Sequence, residues 1–314
     1  MDLFEGSVCY STFGEISPTK DVPVQVCFLC EATKGADGDM NMCYTNLSES
    51  AQYWGTLYRS NPWAITPSYC ALVGFHISVI VPDLLHVWNL GVLQQLLGSA
   101  LRVILTDQIV FTQGDLESRL KAATISLRAF AKQSRLPLRW RKLNKGRLHW
   151  KSRSYPSLGG SGYDAFVISR WLHSTLQPFT AVYPEIATLL WTSNQAISLL
   201  YDAHFFLTPQ EQDTVRTLGS LFLRTYLSLA SQALGRGQYL WRVIPKFHLL
   251  AHVFRCDRVC NVAKHSTWMD EDYLKKVGKT LRLSPKPTIQ HRCLQRWMLS
   301  IPGHLERCRQ KHNR

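Results

Sequence analysis

The sequence predicts a mixed α/β fold that is predominantly α-helical, on three observations. Short alternating or β-branched runs lie in its first third. From Leu84 onward, apolar residues recur at helical spacing almost without interruption. The chain has 314 residues, 46% hydrophobic and 18% charged, a globular composition long enough for one large domain or two ordinary ones.

Residues 1–70 read as loop-rich. Within them Val22 to Leu29 (VPVQVCFL) alternates as a buried strand does and ends on a Cys-x-x-Cys. Phe75 to Val81 (FHISVIV) is β-branched and stops at Pro82, which predicts a second strand. Helices are then expected over Leu84–Leu105, Leu116–Lys132, Tyr163–Leu176, Pro184–His204, Pro209–Ala233, Tyr239–Phe254 and Thr267–Leu281. Thr208-Pro209-Gln210-Glu211 is a strong helix start, with a threonine cap and a proline in the first turn. Internal repeats and low-complexity tracts are absent.

Lys and Arg number 36 against 22 acids, a net charge of +14. Such a surplus favours a polyanionic partner, most simply nucleic acid. Asp2 and Glu5 stand where a secretory leader carries cations, and no apolar run reaches the length of a membrane helix. An intracellular protein that is neither secreted nor membrane-bound is expected. Its nine cysteines then read as reduced thiols, some on zinc, and the Asn46-Leu47-Ser48 sequon carries no weight.

Five motifs bear chemistry. Cys27 and Cys30 are spaced to share one tetrahedral zinc, with Cys43 and Cys70 available to complete a local site. His248 and His252 in KFHLLAH lie at i and i+4, on one face of a helix, and can share a metal. They also suit two ordinary helix histidines. The two pairs together make four zinc-type ligands, although Cys256 and Cys260, one turn on, rival the histidines. Asp83 with His86 sits where the second expected strand gives way to a helix, a place for a Mg²⁺ ligand or a plain N-cap. Asp270, Glu271 and Asp272 open the next expected helix, an order that helix-dipole complementarity alone explains.

The fifth motif runs from Arg135 to Arg153. It holds eight Lys or Arg (Arg135, Arg139, Arg141, Lys142, Lys145, Arg147, Lys151 and Arg153), two tryptophans (Trp140 and Trp150) and no acid. Cations neutralise phosphates and aromatic faces stack on bases, so the set is a candidate nucleic-acid surface; a solvated loop is the plainer alternative. A hydrolase elbow, a P-loop and a dinucleotide fingerprint are all missing, since Gly159-Gly160-Ser161-Gly162 lacks the Lys-Ser/Thr of a phosphate loop.

Taken in order, CFLC, PDLLHVWNLGV, KFHLLAH and DEDYLKKVGK resemble the later part of DDE-type DNA transposases of the CACTA-like and Transib-like group. The resemblance implies an RNase H-like core interrupted by a large helical insertion. It divides the chain into a partial core with the Cys-x-x-Cys over 1–87, an insertion over 88–238, a helical return with the His pair and acidic motif over 239–284, and a basic tail over 285–314. It also implies two Mg²⁺ ions held by three acids that cleave and join DNA by in-line displacement. On this resemblance Glu271 matches the final acid, with Asp270 as an alternative register. Asp83 matches the DxxH motif, and Asp2 alone stands near the spacing of the second acid. The first acid has no counterpart, as in an N-terminally truncated member.

The reading that follows is a nuclear, transposase-derived, zinc-stabilised DNA-binding protein, catalytically incomplete and capable of self-association, with no membrane or small-molecule partner. Mg²⁺ enters only if an upstream extension restores the acid set and with it an active nuclease. A reading from another class is a helical scaffold that offers its basic face to RNA or protein partners.

Overall fold

In the computed structural model of the protein, the described residues are 25–34, 39–58, 68–112, 114–256, 260–268 and scattered positions up to 299. The chain divides by its contacts into two units, Met1–Ser266 and Thr267–Arg314. In the second, described residues such as His291 and Arg292 are helical. All that follows concerns the first.

Six helices build its described part. α1 runs as a π-helix over Leu85–Val92 and continues as an α-helix over Leu93–Asp107. α2 spans Leu116–Gln133, α3 Gly162–Leu176, α4 Pro184–Asp202, α5 Pro209–Gly235 and α6 Lys246–Arg255. Short 3-10 turns lie at Gln52–Thr56, Ser68–Ala71, Ile77–Val79, Gln177–Phe179 and Val262–His265.

Helix α1 is the centre. Leu93, Leu96, Leu97, Ala100, Leu101, Ile104 and Leu105 are all buried. That i, i+3, i+4, i+7 series makes one broad apolar stripe, and its burial favours the helix at roughly 25 cal/mol per Å² of apolar surface. Asp115 caps α2 by accepting from the Ser118 N–H, and Ser161 caps α3 by accepting from the Asp164 N–H. α5 starts on a full capping box: Thr208 Oγ1 accepts from the Glu211 N–H, and Glu211 accepts from the Thr208 N–H at 2.7 Å. α6 packs on α5 at a close crossing. A Cβ on Gly219 of α5 would lie 2.3 Å from Phe254 Cγ of α6, so no larger residue fits without moving that helix. Tyr226 and Phe247 meet on the same interface with ring centroids 4.3 Å apart.

The described residues contain no β-strand, only isolated bridges such as Gln25 with Thr33. The mixed α/β class and the RNase H-like core are therefore corrected to an all-helical fold. The reason is visible at both expected strands. In FHISVIV only Ile77 is buried, the described residues include no strand to pair with it, and His76 caps a 3-10 turn by accepting from the Ser78 N–H. β-branched residues favour a strand only where a pleated, half-buried surface receives them. In VPVQVCFL, residues 22–24 lie outside the described part. The rest is a loop that doubles back, with the Val26 N–H donating to Ala32 O at 2.8 Å.

The helices expected at Leu116, Tyr163, Pro184 and Pro209 form within two residues of their expected ends. The one expected from Tyr239 begins only at Lys246. Trp241 takes a left-handed backbone (φ 57°), its N–H donates to Ser99 Oγ, and Pro245 disfavours helical geometry in the residue before it. Among the described residues no helix is long and apolar enough to cross a membrane.

Candidate metal centre

The N-terminal residues form a small cluster of their own. Val26, Cys27, Phe28, Leu29, Cys30, Ala32, Ala51 and Tyr53 are buried together, and Leu249 and Trp54 pack against both this cluster and the main core. The loop at its heart is held by one side chain, since Gln25 Nε2 donates to Cys27 O (2.9 Å) and to Cys30 O (3.0 Å). That turn brings both sulfurs to one side. The Leu29 N–H donates to Cys27 Sγ at 3.3 Å, a bond that favours a thiolate there.

Helix α6 meets this loop. Its Phe247 and Phe254 pack against Phe222 and Tyr226 of α5, while His248 and His252 face the sulfurs. Cys30 Sγ lies 3.2 Å from His248 Nε2 and 3.5 Å from His252 Nε2. Cys27 Sγ lies 3.5 Å from His252 Nε2, and the two Nε2 atoms are 3.1 Å apart. All four ligand atoms fall within 4.8 Å of one another. With bonds of about 2.3 Å to sulfur and about 2.0–2.1 Å to nitrogen, a tetrahedral zinc spaces S and N by about 3.6 Å and N and N by about 3.3 Å. The donor set fits zinc in both chemistry and spacing.

Electrostatics agree. Cys27, Cys30 and His248 are fully buried and His252 is 5% exposed. Without a metal, burial pushes the Cys27 thiol up, assisted by its hydrogen bond with Cys30. Burial likewise holds the His248 imidazole below its ordinary value. The pocket thus disfavours charge on either group alone, whereas two thiolates and a divalent cation sum to zero.

Aromatic packing sets the ring positions. Trp54 stacks on His248 (centroids 5.7 Å, planes 15° apart) and meets His252 edge-on at 4.8 Å. Tyr53 meets His248 edge-on at 4.7 Å, and the Arg255 guanidinium covers Trp54 at 4.2 Å. His248 Nδ1 is buried with no hydrogen-bond partner among the described residues. Zinc-bound histidines usually donate their second N–H to an oxygen, so packing here replaces a hydrogen bond as the means of orientation.

Cys27, Cys30, His248 and His252 are thus brought together as the sequence suggested. The rival pair is not at the focus: Cys256 and Cys260 line a cavity next to it, along with Leu29, Tyr58, Pro82 and His252. Cys43 is also apart, its thiol near Lys34 O and Thr45 Oγ1.

Asp83 caps α1, accepting from the Leu85 N–H at 3.0 Å and pairing with His86 Nδ1 at 2.5 Å. Among the described residues, the Cys/His set is the one group of three or more potential metal ligands, and Asp83 is not in it. Glu271, Asp270 and Asp2 lie outside the described residues. Trp140 is 4% exposed and offers no free face to a base, whereas Trp150 is half-buried with the Arg102 guanidinium over its ring at 5.6 Å. Sequence reasoning missed Gln25, Tyr53, Trp54 and Gly219. Tyr53, Trp54 and Gly219 act on residues remote in the chain, so nothing in their local sequence marks them, whereas Gln25 acts on the Cys-x-x-Cys turn two to five residues on.

Comparisons with protein-family models, with curated proteins and with solved structures give no match. The transposase resemblance therefore stands corrected. No family match carries it, and the described residues lack the sheet on which a DDE active site is built. The DNA-cleaving activity and its Mg²⁺ ions fall with that fold.

Proposed function

We propose that this protein is a helical scaffold whose N-terminal loop is stapled to the bundle by one structural zinc ion. The observation that carries the reading is the convergence of two pairs of ligands, 225 residues apart at Cys27 and His252, on one buried point. Structural zinc sites are closed by four protein ligands, whereas catalytic sites keep a position open for water or substrate. Here four protein side chains supply the ligands, three of them fully buried and His252 5% exposed, which favours a closed site. The ion would join Cys27 and Cys30 to α6 and contribute folding free energy rather than chemistry.

The test is metal content by mass spectrometry on protein purified without added metal. One zinc per chain is expected, lost in Cys27→Ser and in His252→Ala while Cys256→Ser keeps it. Full zinc retention in both ligand variants would overturn the reading.

A further inference from the structure

The cavity beside the metal centre is lined by one of the four ligands and by two thiols that the centre does not use. His252 lies in its wall with Leu29, Cys256 and Cys260, and it is partly open to solvent. Cys27, Cys30 and His248 are fully buried, and His252 alone keeps 5% exposure. The cavity therefore reaches the centre at its one accessible ligand.

Approach past the aromatic rings is unfavourable. Trp54 packs against both imidazoles, and the Arg255 guanidinium lies over Trp54 at 4.2 Å. That fixed positive charge repels a divalent cation. Among the described residues no lysine or arginine lines the cavity, and its walls are otherwise apolar apart from Tyr58. A divalent ion among apolar walls is costly unless ligands offset its charge. Thiolates do so, and they are ligands that zinc accepts.

The backbone places both thiols. Cys256 ends α6 in a left-handed conformation (φ 51°), its N–H donating to Val253 O at 3.2 Å. Glycine usually ends a helix in this way, because a Cβ is disfavoured there. A cysteine at this position instead brings a thiol to the cavity wall. Cys260 pairs with Phe206 in an isolated bridge. Its neighbour Asn261 donates through Nδ2 to Leu200 O at 2.7 Å and to His204 O at 3.1 Å. Tyr58, on the same wall, is left-handed too (φ 61°), and such backbone is found most often at functional sites.

We propose that this cavity is the entry site for zinc, with Cys256 and Cys260 as a transient pair of thiolate ligands that pass the ion to His252; the inference rests on the structural-zinc reading above. Each of the two thiols gives up a proton as the ion arrives and regains it as the ion moves on. Cys27 and Cys30 then lose theirs, so uptake releases their protons alone.

The test uses the full zinc-loaded chain mixed with an excess of an enriched zinc isotope, and mass spectrometry follows the exchange. A Cys256→Ser, Cys260→Ser double variant should keep its zinc, its zinc affinity and its helical content, since both thiols are only half-buried. Its exchange should slow by roughly tenfold if the pair lowers the transfer barrier by about 1.4 kcal/mol. In the parent the exchange rate should saturate as the added zinc fills the pair, and in the double variant it should rise linearly. Cys256→His in the Cys260→Ser background restores one zinc ligand and should recover part of the rate, which a purely structural role for the thiols would not produce. Unchanged exchange in a double variant that retains its zinc overturns this inference alone. Weaker affinity with faster exchange also overturns it, because the pair would then hold the resting ion. A parent chain without zinc overturns the stapled-scaffold reading and this inference together.

Discussion

The N-terminal lobe and the helical bundle are stabilised by different means. The bundle buries a continuous core from Leu84 to Ala263, with α1 at its centre and side-chain caps on α2, α3 and α5. The lobe's buried cluster holds eight residues, and the longest regular element among its described residues is a five-residue 3-10 turn. Pieces that small lack the apolar area to offset their chain entropy and are commonly completed by a metal or a disulfide. Cys27 and Cys30 are free thiols at this centre, which leaves the metal. On the proposed reading, the bundle rests on its sequence pattern alone and the lobe on an ion.

The largest expected effect separates the two. Removing zinc with a chelator, or replacing His248 by Ala, should release fast amide exchange across residues 25–34 and 39–58 while most of the bundle's helical signal survives. Metal-linked folding free energies reach roughly 10–16 kcal/mol in small zinc domains, so the lobe should lose its order completely. Concerted melting of lobe and bundle, followed by exchange mass spectrometry and circular dichroism, would erase the distinction.

A core change in the bundle should reach the lobe through α6. Gly219→Ala places a Cβ against Phe254 and should cost about 1–3 kcal/mol, the usual range for overpacking. Because Phe254 and His252 share α6, the same variant should weaken zinc affinity in a competition titration against a chromogenic chelator. Lower thermal stability with unchanged affinity would show that α6 transmits nothing.

Acidity offers a subtler separation in the metal-free protein. Burial lowers the His248 pKa, so the folded state binds fewer protons than the unfolded state near neutrality. Stability from this group should therefore fall as pH drops below about 6.5, the unfolded histidine value. The Cys27 thiol is raised, so its contribution should fall as pH rises above about 8.5, where the unfolded thiol ionises. Urea melts of the metal-free chain across that range should show a plateau between the two limits; a monotonic profile would contradict it.

The smallest effect belongs to the bundle surface. Thr208→Ala removes the capping box of α5 and should cost about 1 kcal/mol. Zinc affinity should not move, because the cap lies far along α5 from the Gly219 crossing with α6. A change in affinity would mean that the two regions are coupled throughout.

Much of the bundle was legible. Apolar spacing located α2 to α5 because their burial follows the 3.6-residue period, and Thr208 announced the start of α5 because capping is local chemistry. The two expected strands failed for the opposite reason. Strand formation depends on a partner elsewhere in the chain, and FHISVIV has none among the described residues. The late start of α6 was hidden as well, since the left-handed Trp241 is held by Ser99 of α1.

For the metal centre, the sequence by itself determined the ligand types and their pairing: two thiols at the spacing of a zinc-binding loop, and two imidazoles on one helical face. Those are consequences of local geometry. Only the tertiary structure decided that the pairs meet, that Cys256 and Cys260 do not, and that Tyr53 and Trp54 orient the rings. Each of these depends on where α5 and α6 cross, and that crossing is fixed by the close fit of Gly219 and Tyr226 of α5 against Phe254 and Phe247 of α6.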